Sequence, residues 1–365
     1  MSRGIGQNMS TGRTVIHALV TGLLLVACNV GQGSGSTNPT AINGNPYNNT
    51  TAPTTAKIDA APTLSQNPTE TIKMLSIEDL PDGQIYLSSV KLGEGGKVYQ
   101  MSIDKGQLQE LVDVPPKYGS IALSSDARKI VFSDYTHDTP DPSTNKRFIS
   151  IGIMNIDKTG LRRLTHDIAD ELAPEWSPDG KFVAFISNRV LGLDIYIVNV
   201  DTGEVLAVTS DFLNKLAYDE NCLSWSPDGK RIAFSATDTL QQHPSSHVYI
   251  INIDGSNRLD LTPDLDIGRA CPTWSPDGSR VAFSSGDDNK VYVVNDDGTN
   301  LISLSYENLG QMSNPIWSPD GKYIAFSSNK DGYSNSYVTD LRGNNFLQLT
   351  HNTFDSIPLL WLPKK

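Results

Sequence analysis

Apolar residues in this chain come in short, nearly continuous runs, not at the three-to-four spacing of amphipathic helices. "FVAFIS" from Phe182, "RIAFSA" from Arg231, "RVAFSS" from Arg280 and "YIAFSS" from Tyr323 form one set. "IYIVNV" from Ile195, "VYIINI" from Val248 and "VYVVND" from Val291 form a second. Runs of this length, rich in Val, Ile, Phe and Tyr, read as strands covered on both faces. Each run of the first set follows Trp-Ser-Pro-Asp-Gly, at Trp176, Trp225, Trp274 and Trp317. In that turn Pro presets φ, Asp bonds the backbone and Gly accepts the left-handed conformation that closes a hairpin. Each run of the second set leads into another tight Asp/Gly turn and a fourth strand ending in Leu-Thr or similar, with Thr at 165, 262 and 350.

The unit is therefore four strands, and it repeats. All five tryptophans fall in one frame, 43 to 49 residues apart, ending at Trp361. Two weaker copies come earlier: "LSSDARKIVFS" with Leu123 in the Trp position, and "LPDGQIYLSS" around Asp82 and Gly83. A period of this size predicts a propeller or a solenoid. Strands two to four recur six times, while the chain closes on an orphan first strand, "SIPLLWL" from Ser356. An orphan strand that completes the earliest blade closes a ring and leaves no open edge. The expectation is an all-β, six-bladed propeller of four-stranded antiparallel blades over residues 72–365.

These motifs resemble the TolB-type β-propeller repeat, a relative of the WD-type blades. The resemblance rests on W-S-P-D-G-K-x-I-A-F-x-S followed by I-Y and a Leu-Thr ending, and it covers about residues 80–363. It implies the fold. TolB itself has an α/β domain before its propeller, whereas a tether is expected here, so the Tol–Pal partnership does not follow.

That tether is compositional. Residues 28–71 are dominated by Asn, Thr, Gly, Ser, Pro and Ala, a mixture unable to offset its ordering entropy by burial. Ahead of it, residues 14–27 form an apolar run preceded by Arg3 and Arg13, with no acidic residue in the stretch. This is too short for a spanning helix and fits a signal peptide over residues 1–27. The run ends "LVAC", resembling the lipobox of bacterial lipoproteins. On that resemblance Cys28 is lipidated and anchors the exported chain to a bacterial membrane, outside the cytoplasm; a monomer is expected.

Charge narrows the function. The 365 residues carry 41 acidic and 29 basic side chains, a net charge of −12, which argues against nucleic-acid binding. No G-x-S-x-G elbow marks a hydrolase. His166 and His351 share a repeat position, and His243 and His247 share the loop "QQHPSSH"; neither pair has metal-ligand company, and no metal or cofactor is expected. Cys222 and Cys271 each precede a Trp by three residues in adjacent blades and are expected as free, buried thiols.

The long insertions, from Asp134, Ser210 and Thr237, all belong to one side of the disc, where binding surfaces are usually built. Entrances to the inner strands on that side carry Asp170, Glu171, Asp219, Glu220 and Asp355, with Lys117 and Arg269 as exceptions. The expectation is an acidic channel mouth, rimmed by Tyr135, Arg189 and Tyr333, that holds an envelope protein or peptide. The alternative is a propeller enzyme or sugar-binding protein acting on carbohydrate or peptide. The two differ in whether a purified domain shows activity or a stoichiometric metal.

Overall fold

The computed structural model describes residues 75–91, 95–114, 118–134, 148–166, 169–190, 193–209, 223–238, 245–268, 270–304, 309–343 and 345–364. Twenty-four strands follow in chain order. The first three are β1 (Gly83–Lys91), β2 (Gly95–Ser102) and β3 (Leu108–Val114). Blade 2 is β4 (Tyr118–Leu123), β5 (Lys129–Asp134), β6 (Ser150–Asn155) and β7 (Arg162–Arg163). Blade 3 is β8 (Glu171–Trp176), β9 (Phe182–Ser187), β10 (Asp194–Asn199) and β11 (Val205–Ala207). Blade 4 is β12 (Leu223–Trp225), β13 (Arg231–Asp238), β14 (Ser245–Asn252) and β15 (Leu259–Asp260). Blade 5 is β16 (Thr273–Trp274), β17 (Arg280–Ser284), β18 (Val291–Asn295) and β19 (Ile302–Leu304). Blade 6 is β20 (Met312–Trp317), β21 (Tyr323–Ser328), β22 (Asn335–Asp340) and β23 (Phe346–Gln348). The final strand, β24 (Ile357–Pro363), joins β1 to β3 in the order β24-β1-β2-β3 and completes blade 1. All six sheets are four-stranded and antiparallel, as the repeat count predicts. The inner strands β4, β8, β12, β16, β20 and β24 each touch the next, and β24 touches β4, so the ring is closed.

The core lies between blades. Each tryptophan packs on the preceding blade: Trp176 against Val131 and Ile151, Trp225 against Ala184 and Ile186, Trp361 against Ala325 and Val338. Because adjacent blades bury each other's faces, strands two and three are apolar at consecutive positions, which is why the runs do not alternate. Within a blade, Phe of the second strand pairs with Tyr of the third. Phe185–Tyr196, Phe234–Tyr249, Phe283–Tyr292 and Phe326–Tyr337 are direct cross-strand neighbours with stacked rings. Blade 2 has Gly152 opposite Phe132, and a Cβ there would meet the ring at 2.4 Å. The Phe132 ring takes the space a side chain would need.

The Ser-Pro-Asp-Gly turns show why the motif is written so strictly. Ser177 Oγ donates to Asp179 Oδ1 (2.7 Å) and accepts the Phe182 N–H (2.9 Å), while Asp179 Oδ1 accepts the Lys181 N–H (3.1 Å). Gly180 follows at φ +69°. The same bonds recur at Ser226, Ser275 and Ser318. At Asp277 the hydroxyl of Ser275 is the first cause holding the carboxyl down at about 2. These aspartates serve the turn.

The Leu-Thr ending has a similar job. Thr165, Thr209, Thr262 and Thr350 each accept, at 2.9 Å, the N–H of the residue fourteen positions earlier, in the first half of the third strand. Basic residues then latch blades together: the guanidinium of Arg231 lies 4.5 Å from the centroid of Trp274, and that of Arg280 lies 4.9 Å from that of Trp317.

Candidate interaction face

Antiparallel order puts successive connections at opposite ends of a blade. At one end, the turns between first and second or third and fourth strands are all five or six residues long. At the other, connections range from three residues (92–94) to fifteen (135–149 and 208–222). Variation is confined to this connection face, on a scaffold that is uniform elsewhere. The insertion expected from Thr237 is shorter than its sequence reads, because β13 and β14 extend into it until Asp238 faces Ser245.

Five of the expected site residues lie on this face within the described residues: Asp170, Glu171, Arg189, Tyr333 and Asp355. Cys28, Lys117, Tyr135, Asp219, Glu220 and Arg269 lie outside them, as do Cys222 and His243. The five do different work.

Glu171 is fully buried. One carboxylate oxygen accepts the Ile151 N–H (3.1 Å) and the Thr165 hydroxyl, and the other accepts from the Arg189 guanidinium at 2.6 Å. Arg189 is itself held over Tyr196 (4.6 Å) and Phe185 (5.1 Å) and bonded to Ser187 Oγ (3.2 Å). The expectation that Glu171 and Arg189 present charge to a partner is corrected: they form an internal strut joining blades 2 and 3. As first residue of β8, Glu171 turns inward toward the start of β6, not out to solvent.

Asp170, half-buried, accepts the Ile149 N–H (3.2 Å), and its own N–H donates to Asn188 Oδ1 (2.9 Å). Asp355 accepts the Ser334 N–H (2.7 Å), and Asp266 accepts that of Ser246 (2.9 Å). These three aspartates tie their connections back to the start of the third strand of the blade just left. Asp355 is nevertheless exposed, and so is Tyr333, at 47%. Further exposed acids, missed at the sequence level, join them: Asp264, Asp266, Asp287, Asp288 and Asp331. Asp288 also pairs with Lys290 (2.8 Å) and accepts from Tyr292 Oη (2.6 Å). Burial first, then the bond to Asp331, pushes the Tyr337 hydroxyl up to about 12.

Near the axis, the residue before each Trp position is Ala122, Glu175, Ser224, Thr273, Ile316 or Leu360. Glu175 is the ionisable one. Its side chain is only partly open to solvent and packed round by protein, while its carbonyl accepts the Trp225 indole N–H at 3.2 Å. Desolvation pushes its carboxyl up from an ordinary 4.5 to about 8. Between those values the folded chain holds a proton that the unfolded chain releases. Stability therefore falls as pH rises through this window, by at most about 1.4 kcal/mol per unit. Glu175→Gln is expected to melt with wild type at pH 4.5 and at least about 3 °C above it at pH 8. Thermal melts that run parallel across the window would contradict this environment for Glu175.

His166 and His351 are exposed, whereas His247 is buried in β14, not in a loop. Among the described residues, no group of three or more His, Cys, Asp or Glu is placed to hold a metal ion. Cys271 is disulfide-bonded, which corrects the expected free thiol; its partner lies outside the described residues. The expectation rested on neighbouring inner strands diverging. At the axis they converge instead: β12 touches β16, and the Trp274 N–H reaches Ser224 Oγ at 3.4 Å.

Comparison with known proteins agrees with this architecture. Residues 212–363 match the TolB beta propeller domain, and residues 150–252 match the dipeptidyl peptidase IV N-terminal region. An 80-residue stretch is 35% identical to dipeptidyl-peptidase 5 of Porphyromonas gingivalis, covering 22% of this chain and 11% of that one. The match thus spans about a tenth of the relative's length. The structure is similar to a putative TolB from Agrobacterium tumefaciens (TM-score 0.54, 17% identity, 78% of this chain and 99% of that chain). It is also similar to TolB from Acinetobacter baumannii (TM-score 0.50, 19% identity, 80% and 76%). With six closed blades and this match, the chain carries a TolB-type β-propeller domain.

Proposed function

We propose that this protein is an extracytoplasmic binding module that holds a protein or peptide partner on its connection face, tethered to a membrane through a lipid on Cys28. One observation carries the reading: connection length varies only on that face, from three to fifteen residues, while every turn opposite is five or six. The exposed side chains there favour a basic partner, since Asp264, Asp266, Asp287, Asp331 and Asp355 are open to solvent. The disulfide at Cys271 suits an oxidising compartment outside the cytosol. Fractionation of Cys28→Ser cells tests the anchor separately from the binding face.

Amine-reactive cross-linking in cells, followed by mass spectrometry, tests the face without a guess about the partner. Cross-links to another protein are expected at Lys290 and Lys330. Cross-links confined to Lys158, Lys181, Lys230 and Lys322, on the tight-turn face, would place the partner on the other side of the disc.

A further inference from the structure

Blade 4 departs from the repeat at three positions that meet in space. His247 stands where blades 3 and 6 have Asp194 and Asn335, the polar partners of their Leu-Thr threonines. Asp260 stands where the fourth strands of blades 2, 3, 5 and 6 have Arg163, Ala207, Ser303 and Gln348, while blade 1 has Glu110 there, paired at 2.8 Å with Lys97 in the His247 position. Ser245 opens β14 two residues before His247, on the same side of the strand. His247 Nε2 lies 2.9 Å from Ser245 Oγ, and its Nδ1 lies 2.8 Å from Asp260 Oδ2.

The order of these contacts is that of a nucleophile, a base and the carboxylate that orients the base. Asp260 fixes the proton on Nδ1, which leaves the Nε2 lone pair directed at the serine hydroxyl. The arrangement is firmly supported. Asp260 Oδ1 accepts the Thr262 N–H at 2.9 Å, and the imidazole stacks on Tyr249 with ring centroids 6.2 Å apart and 20° between planes. The His247 side chain is 10% exposed and that of Asp260 27%, while Ser245 sits half-buried at the connection-face end of its strand. Packing or turn formation explains Thr262, which serves the backbone as in other blades. It does not explain why only this blade adds a Ser-His-Asp chain.

We propose that Ser245, His247 and Asp260 form an acyl-transfer site that hydrolyses carboxylic esters with good leaving groups. Ser245 Oγ attacks the ester carbonyl as its proton passes to His247 Nε2. The new Oγ–C bond forms and the ester C–O bond breaks, its electron pair leaving with the alkoxide or phenolate, to which His247 can return the proton. Water then gives a proton to the same nitrogen and attacks the acyl carbon. The acyl C–Oγ bond breaks, the acid leaves, and Nε2 hands that proton to Ser245 Oγ, restoring both residues. Asp260 positions the imidazole throughout and touches no substrate. This activity is independent of the partner-binding reading and can fail without it.

The test uses the full chain with two probes, p-nitrophenyl acetate and an alkyl fluorophosphonate. Expected are p-nitrophenol release and one fluorophosphonate adduct per chain, found by mass spectrometry on Ser245. Ser245→Ala should abolish the adduct. His247→Gln should slow both reactions at least about 100-fold, and Asp260→Asn should slow them by a comparable factor at unchanged melting temperature. No adduct on Ser245 of the folded wild type, or labelling that persists unchanged in folded His247→Gln, overturns the proposal.

Discussion

Removal of residues 356–365 is expected to abolish the cooperative fold, not merely to fray an end. β24 pairs with β1 from Gly83↔Pro363 to Ser88↔Ile357, placing Trp361 opposite Ile85. Trp361 is 4% exposed and Ile85 is fully buried, and both belong to the cluster that joins blade 1 to Ala325 and Val338 of blade 6. Loss of a buried Trp alone costs about 3–5 kcal/mol. The truncated chain would also bare the edge of β1 and remove Leu359, Leu360 and Leu362, which pack on the interface with blade 2. Together these losses rival the roughly 5–15 kcal/mol that holds a domain folded. Near-ultraviolet circular dichroism and size-exclusion chromatography are expected to show an aggregating chain without a cooperative melt. A truncated protein melting within a few degrees of wild type would contradict closure by this strand.

Glu171→Ala carries the second large effect, and it separates a strut from a binding residue. The substitution leaves the Arg189 guanidinium, whose side chain is 15% exposed, without the carboxylate now 2.6 Å away. It also removes the acceptor for the Thr165 hydroxyl and one of the two acceptors shared by the Ile151 N–H. Breaking one side of a buried ion pair costs roughly 3–5 kcal/mol. Urea denaturation should show a markedly lower midpoint, with the Glu171→Ala/Arg189→Ala double variant recovering part of the loss. Unchanged stability in Glu171→Ala would return this residue to the partner-binding surface.

The ring and its closure were legible in the sequence because both follow from period and pattern. Trp spacing counts blades, the turn motif writes its own hydrogen bonds, and an orphan strand can pair in only one place. The site was legible only as a side of the disc. Asp170 and Glu171 are adjacent acids in sequence, yet one caps a backbone N–H and the other is buried, because β8 begins between them. The Pro and Ser of "QQHPSSH" read as loop, while pairing with β13 carries β14 back to Ser245 and buries His247. The disulfide at Cys271 depended on how closely inner strands approach at the axis, a distance that no local pattern encodes. Nothing in the sequence around Glu175 sets it apart, because its desolvation arises only where the packed ring surrounds it.

The central claim is that the variable connection face is the working surface. Its most direct measurement is the affinity of a cross-linked partner, once identified, for two charge-reversed proteins. One carries Asp264→Lys with Asp287→Lys, exposed on the connection face and free of the capping bonds that occupy Asp170. The other carries Asp201→Lys with Glu204→Lys, exposed in the tight turn before β11. The first pair is expected to weaken binding at least about tenfold, and more at low salt, where these charges are least screened. The second is expected to bind as wild type. Weakened binding in the second pair with wild-type affinity in the first would contradict the claim.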